Sequence, residues 1–270
     1  MRINLTTLST LALSTIAACG GIAGAAAPTM DVLSADRELF VIACGFDYEF
    51  DDCDGARESS QATSGFYDNE ITADLNDYYG TDISDAEGAI YSNITDQRIE
   101  LEFFADASVV NTSIFSADAG VYGTADIEFE VLDDVRVVFE AYAEGYYQSY
   151  FTAGASLREV GGPLISGFGI QGASDDDTEF VGWLYAGTYS VSADLSASAM
   201  ATVPSAGELS LSFRIYEMAD FNTNGTVDAA DFYAFYGQYL SGSANADFNG
   251  NGVTDSNDLN AYITSWYAAR

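Results

Sequence analysis

The chain has 270 residues, with 42 Asp and Glu against 8 Lys and Arg, no histidine and a formal net charge of −34. All eight basic residues are Arg, so histidine-activated nucleophiles, His-ligated zinc, lysine Schiff bases and a P-loop lysine are excluded. This charge repels nucleic acid and anionic membrane, while 48% hydrophobic and 14% aromatic residues are too many for a disordered acidic tail.

Residues 1–27 read as a secretory signal peptide: Met1-Arg2, an apolar stretch, then Gly/Ala-rich sequence. Two processing routes are open. Ala23-Gly24-Ala25 offers a small-x-small cleavage site, and Ile16-Ala17-Ala18-Cys19 resembles a lipobox that would lipidate Cys19. The mature protein is expected to be secreted or held at the cell surface, with no transmembrane segment. Cys44 and Cys53, nine residues apart, suggest a disulfide in that setting; two unpaired thiols are the alternative.

Residues 28–216 carry a period-two pattern. Tyr189, Val191, Ala193, Leu195, Ala197 and Ala199 alternate with Ser190, Ser192, Asp194, Ser196 and Ser198, a strand with one dry and one wet face. Further strands are expected near 39–44, 65–75, 99–103, 113–122, 127–131, 135–143, 147–157, 164–170, 179–184 and 209–215. The pair 127–131 and 135–143 reads as a hairpin. This pattern predicts a mainly β fold, an antiparallel, jelly-roll-like β-sandwich. Glu100/Glu102 and Glu128/Glu130 lie on polar strand faces, so no catalytic signature emerges. Asp47, Glu49, Asp51, Asp52 and Asp54, and Asp175 to Asp177, read as solvated acidic loops, with a structural cation as the alternative. The Asp-rich, Lys-free composition fits a protein kept soluble in salty surroundings.

After residue 216 the texture changes. Residues 220–231 read DFNTNGTVDAAD and residues 247–258 read DFNGNGVTDSND, 27 positions apart and identical at seven of twelve. Ca²⁺ takes six to eight oxygens at ~2.3–2.6 Å, and a twelve-residue loop can wrap them around one ion. Positions 1, 3 and 5 are Asp220, Asn222 and Asn224, then Asp247, Asn249 and Asn251. Position 7 offers a backbone carbonyl from Thr226 or Val253. Position 9 is Asp228 or Asp255, and position 12 is Asp231 or Asp258. Gly225 and Gly252 permit the turn at position 6. Two Ca²⁺ ions are therefore expected.

Helical pattern follows each loop, at 232–240 and 259–267, and Asp replaces Glu at position 12. Loop then helix, twice, resembles the type I dockerin repeat. The resemblance implies a small all-α module over 219–270, two Ca²⁺ ions, and a cohesin-like or other cell-surface protein as partner. The family's recognition positions, 10 and 11, hold Ala229-Ala230 and Ser256-Asn257 here, and neither helix contains Lys or Arg. Phe232, Phe235, Tyr236 and Tyr239, with Leu259, Tyr262, Ile263 and Trp266, are placed to form the core between the two units. The expected function is attachment of a non-catalytic sandwich (adhesive, carbohydrate-binding or structural) to an extracellular assembly. A polysaccharide-degrading enzyme with such an anchor is the alternative.

Overall fold

A computed structural model describes residues 29–46, 51–76, 82–109, 116–147, 150–200 and 203–270. The expected signal peptide and Cys19 lie outside the described residues, as do Asp47 and Glu49. Alternation of dry and wet side chains builds twelve strands among those described. They are β1 (Met30–Phe46), β2 (Asp51–Ser60), β3 (Gly65–Asn76), β4 (Asp82–Ile94), β5 (Arg98–Val109) and β6 (Ser116–Val131). Then come β7 (Val135–Gly145), β8 (Phe151–Glu159), β9 (Leu164–Gln171), β10 (Asp175–Leu184), β11 (Gly187–Met200) and β12 (Ser205–Tyr216).

The strands form two six-stranded antiparallel sheets, ordered β2-β1-β6-β11-β8-β9 and β10-β7-β12-β5-β4-β3. Their inner faces share one core, so the fold is a β-sandwich. On β11 the inward residues are Tyr189, Val191, Ala193, Leu195, Ala197 and Ala199, all buried. Phe129 of β6 meets Phe213 of β12 across the sheets, ring centroids 4.9 Å apart. Fully burying one such side chain contributes ~1.5–3 kcal/mol, so alternation alone drives the sheets together.

Both long edges are closed by contacts between the sheets. At one edge Ser166 of β9 pairs with Thr178 of β10, hydroxyl to hydroxyl, at 2.9 Å. Beside the other, formed by β2 and β3, buried Arg37 of β1 donates through Nη1 to Ser92 Oγ of β4 at 2.7 Å, and through Nη2 to Ser60 Oγ at 3.2 Å and to the Ala62 carbonyl. Cys44 and Cys53 face each other in the β1–β2 ladder and are joined by a disulfide.

Two expectations need correction. The segment 127–143 is not a hairpin: β6 and β7 belong to different sheets, and Leu132, Asp133 and Asp134 carry the chain from one to the other. Both strands turn their apolar residues inward, which a three-residue link satisfies by arching over the core rather than pairing the strands.

The second correction concerns the expected fold class, a sandwich followed by a separate all-α dockerin-like module with two calcium loops. Residues after β12 form α1 (Ala229–Ser241), a 3-10 turn (Ala244–Ala246) and α2 (Ser256–Ala268). Phe221, Phe235, Phe248, Tyr262 and Trp266 do not form a core closed within this segment. Their cluster instead takes in Trp183 of β10, and Phe221 lies against Arg136 of β7. The segment is thus a cap built onto the sheet. Under it β7 loses its wet face: Val135, Arg136, Val137, Val138 and Phe139 are buried in succession.

Phe151 fits a notch between Gly145 and Gly207, which pair directly across β7 and β12, and a Cβ on either glycine would overlap its ring. Gly207→Ala is expected to cost ~1–3 kcal/mol through overpacking, read as a lower urea midpoint; an unchanged midpoint would sink the notch as a constraint. Burial also lifts the carboxyls of Glu87, Glu102, Asp106 and Asp194 above their ordinary range. The folded chain therefore holds these protons more tightly than the unfolded one, and stability is lost as pH rises through the raised values. The melting temperature is expected to fall as pH is raised from about 4, the ordinary carboxylate pKa, towards neutrality, less so in Asp106→Asn. A rise across that interval would contradict this origin.

Candidate functional site

The two loops at 220–231 and 247–258 adopt the same conformation, held by the same internal hydrogen bonds. In loop 1 the Asp220 carboxylate accepts N–H groups from Asn224 (Oδ1, 3.1 Å) and Gly225 (Oδ2, 2.7 Å). In loop 2 Asp247 accepts from Asn251 at 3.1 Å and Gly252 at 2.7 Å. Asn222 Oδ1 accepts from Asn224 and Asn224 Oδ1 from Thr226; Asn249 and Asn251 repeat the pattern, ending on Val253. Gly225 and Gly252 sit at φ 84° and 83°, the left-handed turn expected at position 6.

The twelfth residue closes each loop. Asp231, fully buried, accepts from Asn222 N at 3.0 Å and Asp228 N at 2.8 Å. Asp258 does the same for Asn249 at 3.0 Å and Asp255 at 2.7 Å. Asp228 and Asp255 have a second task that the ligand pattern did not reveal: each is the N-cap of the following helix, within a reciprocal capping box.

An oxygen-seeking cation fits this donor set. Each oxygen named above accepts one N–H, and carboxylate and carboxamide oxygens have two lone pairs. Burial raises the Asp220 pKa; N–H groups of Gly225 and Asn224 oppose that shift, and the facing Asp231 carboxyl adds to it. No group of three or more Asp, Glu or Cys side chains among the described residues is arranged to hold a metal by itself. The sets are mixed, and depend on Asn carboxamides.

Three sandwich residues adjoin the loops, and the sequence pattern did not bring them forward. The Arg136 guanidinium lies 4.5 Å from the Trp183 ring centroid and 4.2 Å from that of Phe221. Its Nε and Nη1, like Trp183 Nε1, are buried without a hydrogen-bond partner. Burial pulls its pKa down to about 10, while Asp220, Tyr262 and Asp231 hold it up. At loop 2, Gly250 lies against the Tyr185 phenol. Burial raises the Tyr185 pKa, and Asp247, Asp134 and Asp258 add to the shift. The available signal was the run Val135-Arg-Val-Val-Phe139, which breaks the alternation of its neighbours.

Within the cap, Phe235 and Tyr262 stack at 3.9 Å, Trp266 Nε1 donates to the Asp228 carbonyl at 2.6 Å, and Tyr262 Oη donates to the Ala219 carbonyl at 3.2 Å. Tyr236, expected in this core, is exposed. Thr254 stands where loop 1 has apolar Val227 because its hydroxyl donates to the Ser243 carbonyl at 2.9 Å. Elsewhere, Asp54 accepts from Asp74 N at 3.3 Å, and Asp175, Asp176 and Asp177 begin β10 in solvent. At the end of β7, Tyr146, Tyr147 and Tyr150 are exposed, and Tyr142 Oη donates to Glu144 at 2.9 Å.

No family model matches the chain, and no curated protein matches it. Among solved structures, the carbohydrate-binding module TmCBM61 in complex with β-1,4-galactotriose is 8% identical with a TM-score of 0.22, over 56% of this chain and 88% of that one. The enzymatically active domain of tailspike protein 4 of bacteriophage CBA120 is 11% identical with a TM-score of 0.22. That overlap spans 56% of this chain and 19% of the tailspike domain. A structure of infectious bursal disease virus Gx strain is 8% identical with a TM-score of 0.20, over 70% of this chain and 57% of that one. At such scores neither ligand nor activity transfers. Among the described residues no helix is long and apolar enough to cross a membrane.

Removing the clasp should show without any ion. Asp231→Ala leaves the N–H groups of Asn222 and Asp228 without their acceptor and is expected to cost ~1–3 kcal/mol in EDTA. The same holds for Asp258→Ala. Denaturant midpoints equal to that of the unaltered chain would refute the clasp.

Proposed function

We propose that this chain is an exported, calcium-binding β-sandwich protein in which loops 220–231 and 247–258 each hold one Ca²⁺ ion. The observation that carries this reading is the duplicated loop. Two copies place Asp, Asn, Asn and Asp oxygens in the same hydrogen-bonded arrangement, with a buried carboxylate at position 12. The holders are Asp220, Asn222, Asn224, Thr226, Asp228 and Asp231, then Asp247, Asn249, Asn251, Val253, Asp255 and Asp258. All-oxygen, mixed-charge donors suit Ca²⁺ better than softer metals or strictly octahedral Mg²⁺. The ion supplies positive charge to otherwise crowded carboxylates. The residues themselves fix the loop, cap the helix and attach both to the sheet. Export is supported by the signal-like N-terminus and by the Cys44–Cys53 disulfide.

The role of the sandwich in this proposal is binding or structural rather than catalytic. Glycan binding is favoured by the tyrosines at the end of β7. Tyr146, Tyr147 and Tyr150 expose rings that can stack on sugar C–H faces, beside the carboxylate of Glu144.

Calorimetric titration of the full chain should give two Ca²⁺ ions with dissociation constants of ~10⁻⁴–10⁻³ M or somewhat tighter. Asp231→Asn and Asp258→Asn should each remove one. A titration without heat, or one unaltered by both substitutions, defeats the assignment. For the sugar reading, retention on insoluble polysaccharides should fall at least severalfold in a Tyr146→Ala, Tyr150→Ala variant. Equal retention rules out that surface.

A further inference from the structure

We propose that Arg136 acts as a fixed cation beside loop 1, making it the weaker of the two Ca²⁺ sites and tying its occupancy to the sandwich. This rests on the calcium reading of the loops. The donor residues of the two loops match, apart from one contact: in loop 2 Asn257 Nδ2 also donates to Asp255 Oδ2 at 3.2 Å, where loop 1 has Ala230. Each has three Asp and two Asn at the same positions, and their matching hydrogen bonds agree within 0.1 Å, for example 2.7 Å for Gly225 to Asp220 and 2.7 Å for Gly252 to Asp247. The difference in fixed charge between the two sites comes from what the sandwich places next to them.

The sandwich places opposite chemistry. Beside loop 1 is Arg136, buried between Trp183 and Phe221, with Asp220 and Asp231 among its electrostatic neighbours. Its Nε and Nη1 have no hydrogen-bond partner. Packed between two rings, the guanidinium cannot swing into solvent. Beside loop 2 are the neutral phenol of Tyr185 and, near it, the carboxylate of Asp134. Glu217 also neighbours Asp220, but it is partly exposed and water screens it more than it screens Arg136. A dication entering loop 1 therefore meets a positive charge at low dielectric that loop 2 lacks. Because Arg136 belongs to β7, coupling runs both ways: filling loop 1 alters the hold of the cap on the sheet, and loosening the cap alters loop 1.

The test uses full-length protein and Ca²⁺ calorimetry, with each loop isolated by inactivating the other. Asp258→Asn leaves loop 1 and Asp231→Asn leaves loop 2. Loop 1 is expected to bind about tenfold more weakly than loop 2. Adding Arg136→Met should tighten loop 1 severalfold and leave loop 2 unchanged. A purely structural Arg136 would give the opposite sign, since a loosened cap weakens loop 1. If Arg136→Met does not fold, the comparison of the two loops with Arg136 intact still decides. Equal affinities, a tighter loop 1, or a loop 1 weakened by Arg136→Met overturns the proposal. Absence of Ca²⁺ heat at both loops overturns the calcium reading and this inference with it.

Discussion

A guanidinium stripped of water between two aromatic rings is the contact on which the cap depends. Arg136 lies between Trp183 of its own sheet and Phe221 of the cap, and a desolvated cation over such faces contributes ~2 kcal/mol or more per favourable contact. Without the cap, Arg136 and Val138 would face water as the outer residues of β7. Without β7 and β10, Phe221, Phe248 and Tyr262 would lack one wall of their cluster. Each side completes a surface that the other cannot bury alone.

The same geometry explains how a chain of such acidity folds. Carboxylates are concentrated on outward strand faces, where alternation sends them, and the inner faces carry almost nothing but Ala, Val, Leu, Ile and Phe. Repulsion is therefore confined to surfaces that salt can screen. The two buried arginines, Arg37 and Arg136, stand where the sheet edge and the cap need a cation. Where several carboxylates are buried without lysine nearby, as at Asp220 and Asp231, backbone N–H groups do the holding.

Much of this architecture was legible because it follows from local periodicity. Ser190 to Ser198 alternating with Tyr189 to Ala199 states the wet and dry faces of β11 outright. The turn glycines, the closing aspartates and both helices follow from the loop pattern. What could not be read was anything set by the partner across the core. Leu132-Asp133-Asp134 has the composition of a hairpin turn, and only the second sheet decides that it arches instead. The fate of the cap was misread for a related reason. A repeat legible as a self-sufficient unit says nothing of how much aromatic surface it leaves uncovered, and Trp183 lies far away in sequence. Arg136, in a run of apolar residues, was the local irregularity that marked the contact.

Tryptophan occurs only twice in the chain: Trp183 lies in this seam, between Arg136 and Phe248, and Trp266 lies within the cap, its indole N–H donating to the Asp228 carbonyl. Excitation at the red edge, which spares tyrosine, thus reports on the cap and its seam with the sheet. Intrinsic emission would follow the undocking of the cap and the loss of β10 beneath it, whereas calorimetry weighs the whole β core. Optical and calorimetric unfolding curves would then coincide only if cap and sandwich come apart together.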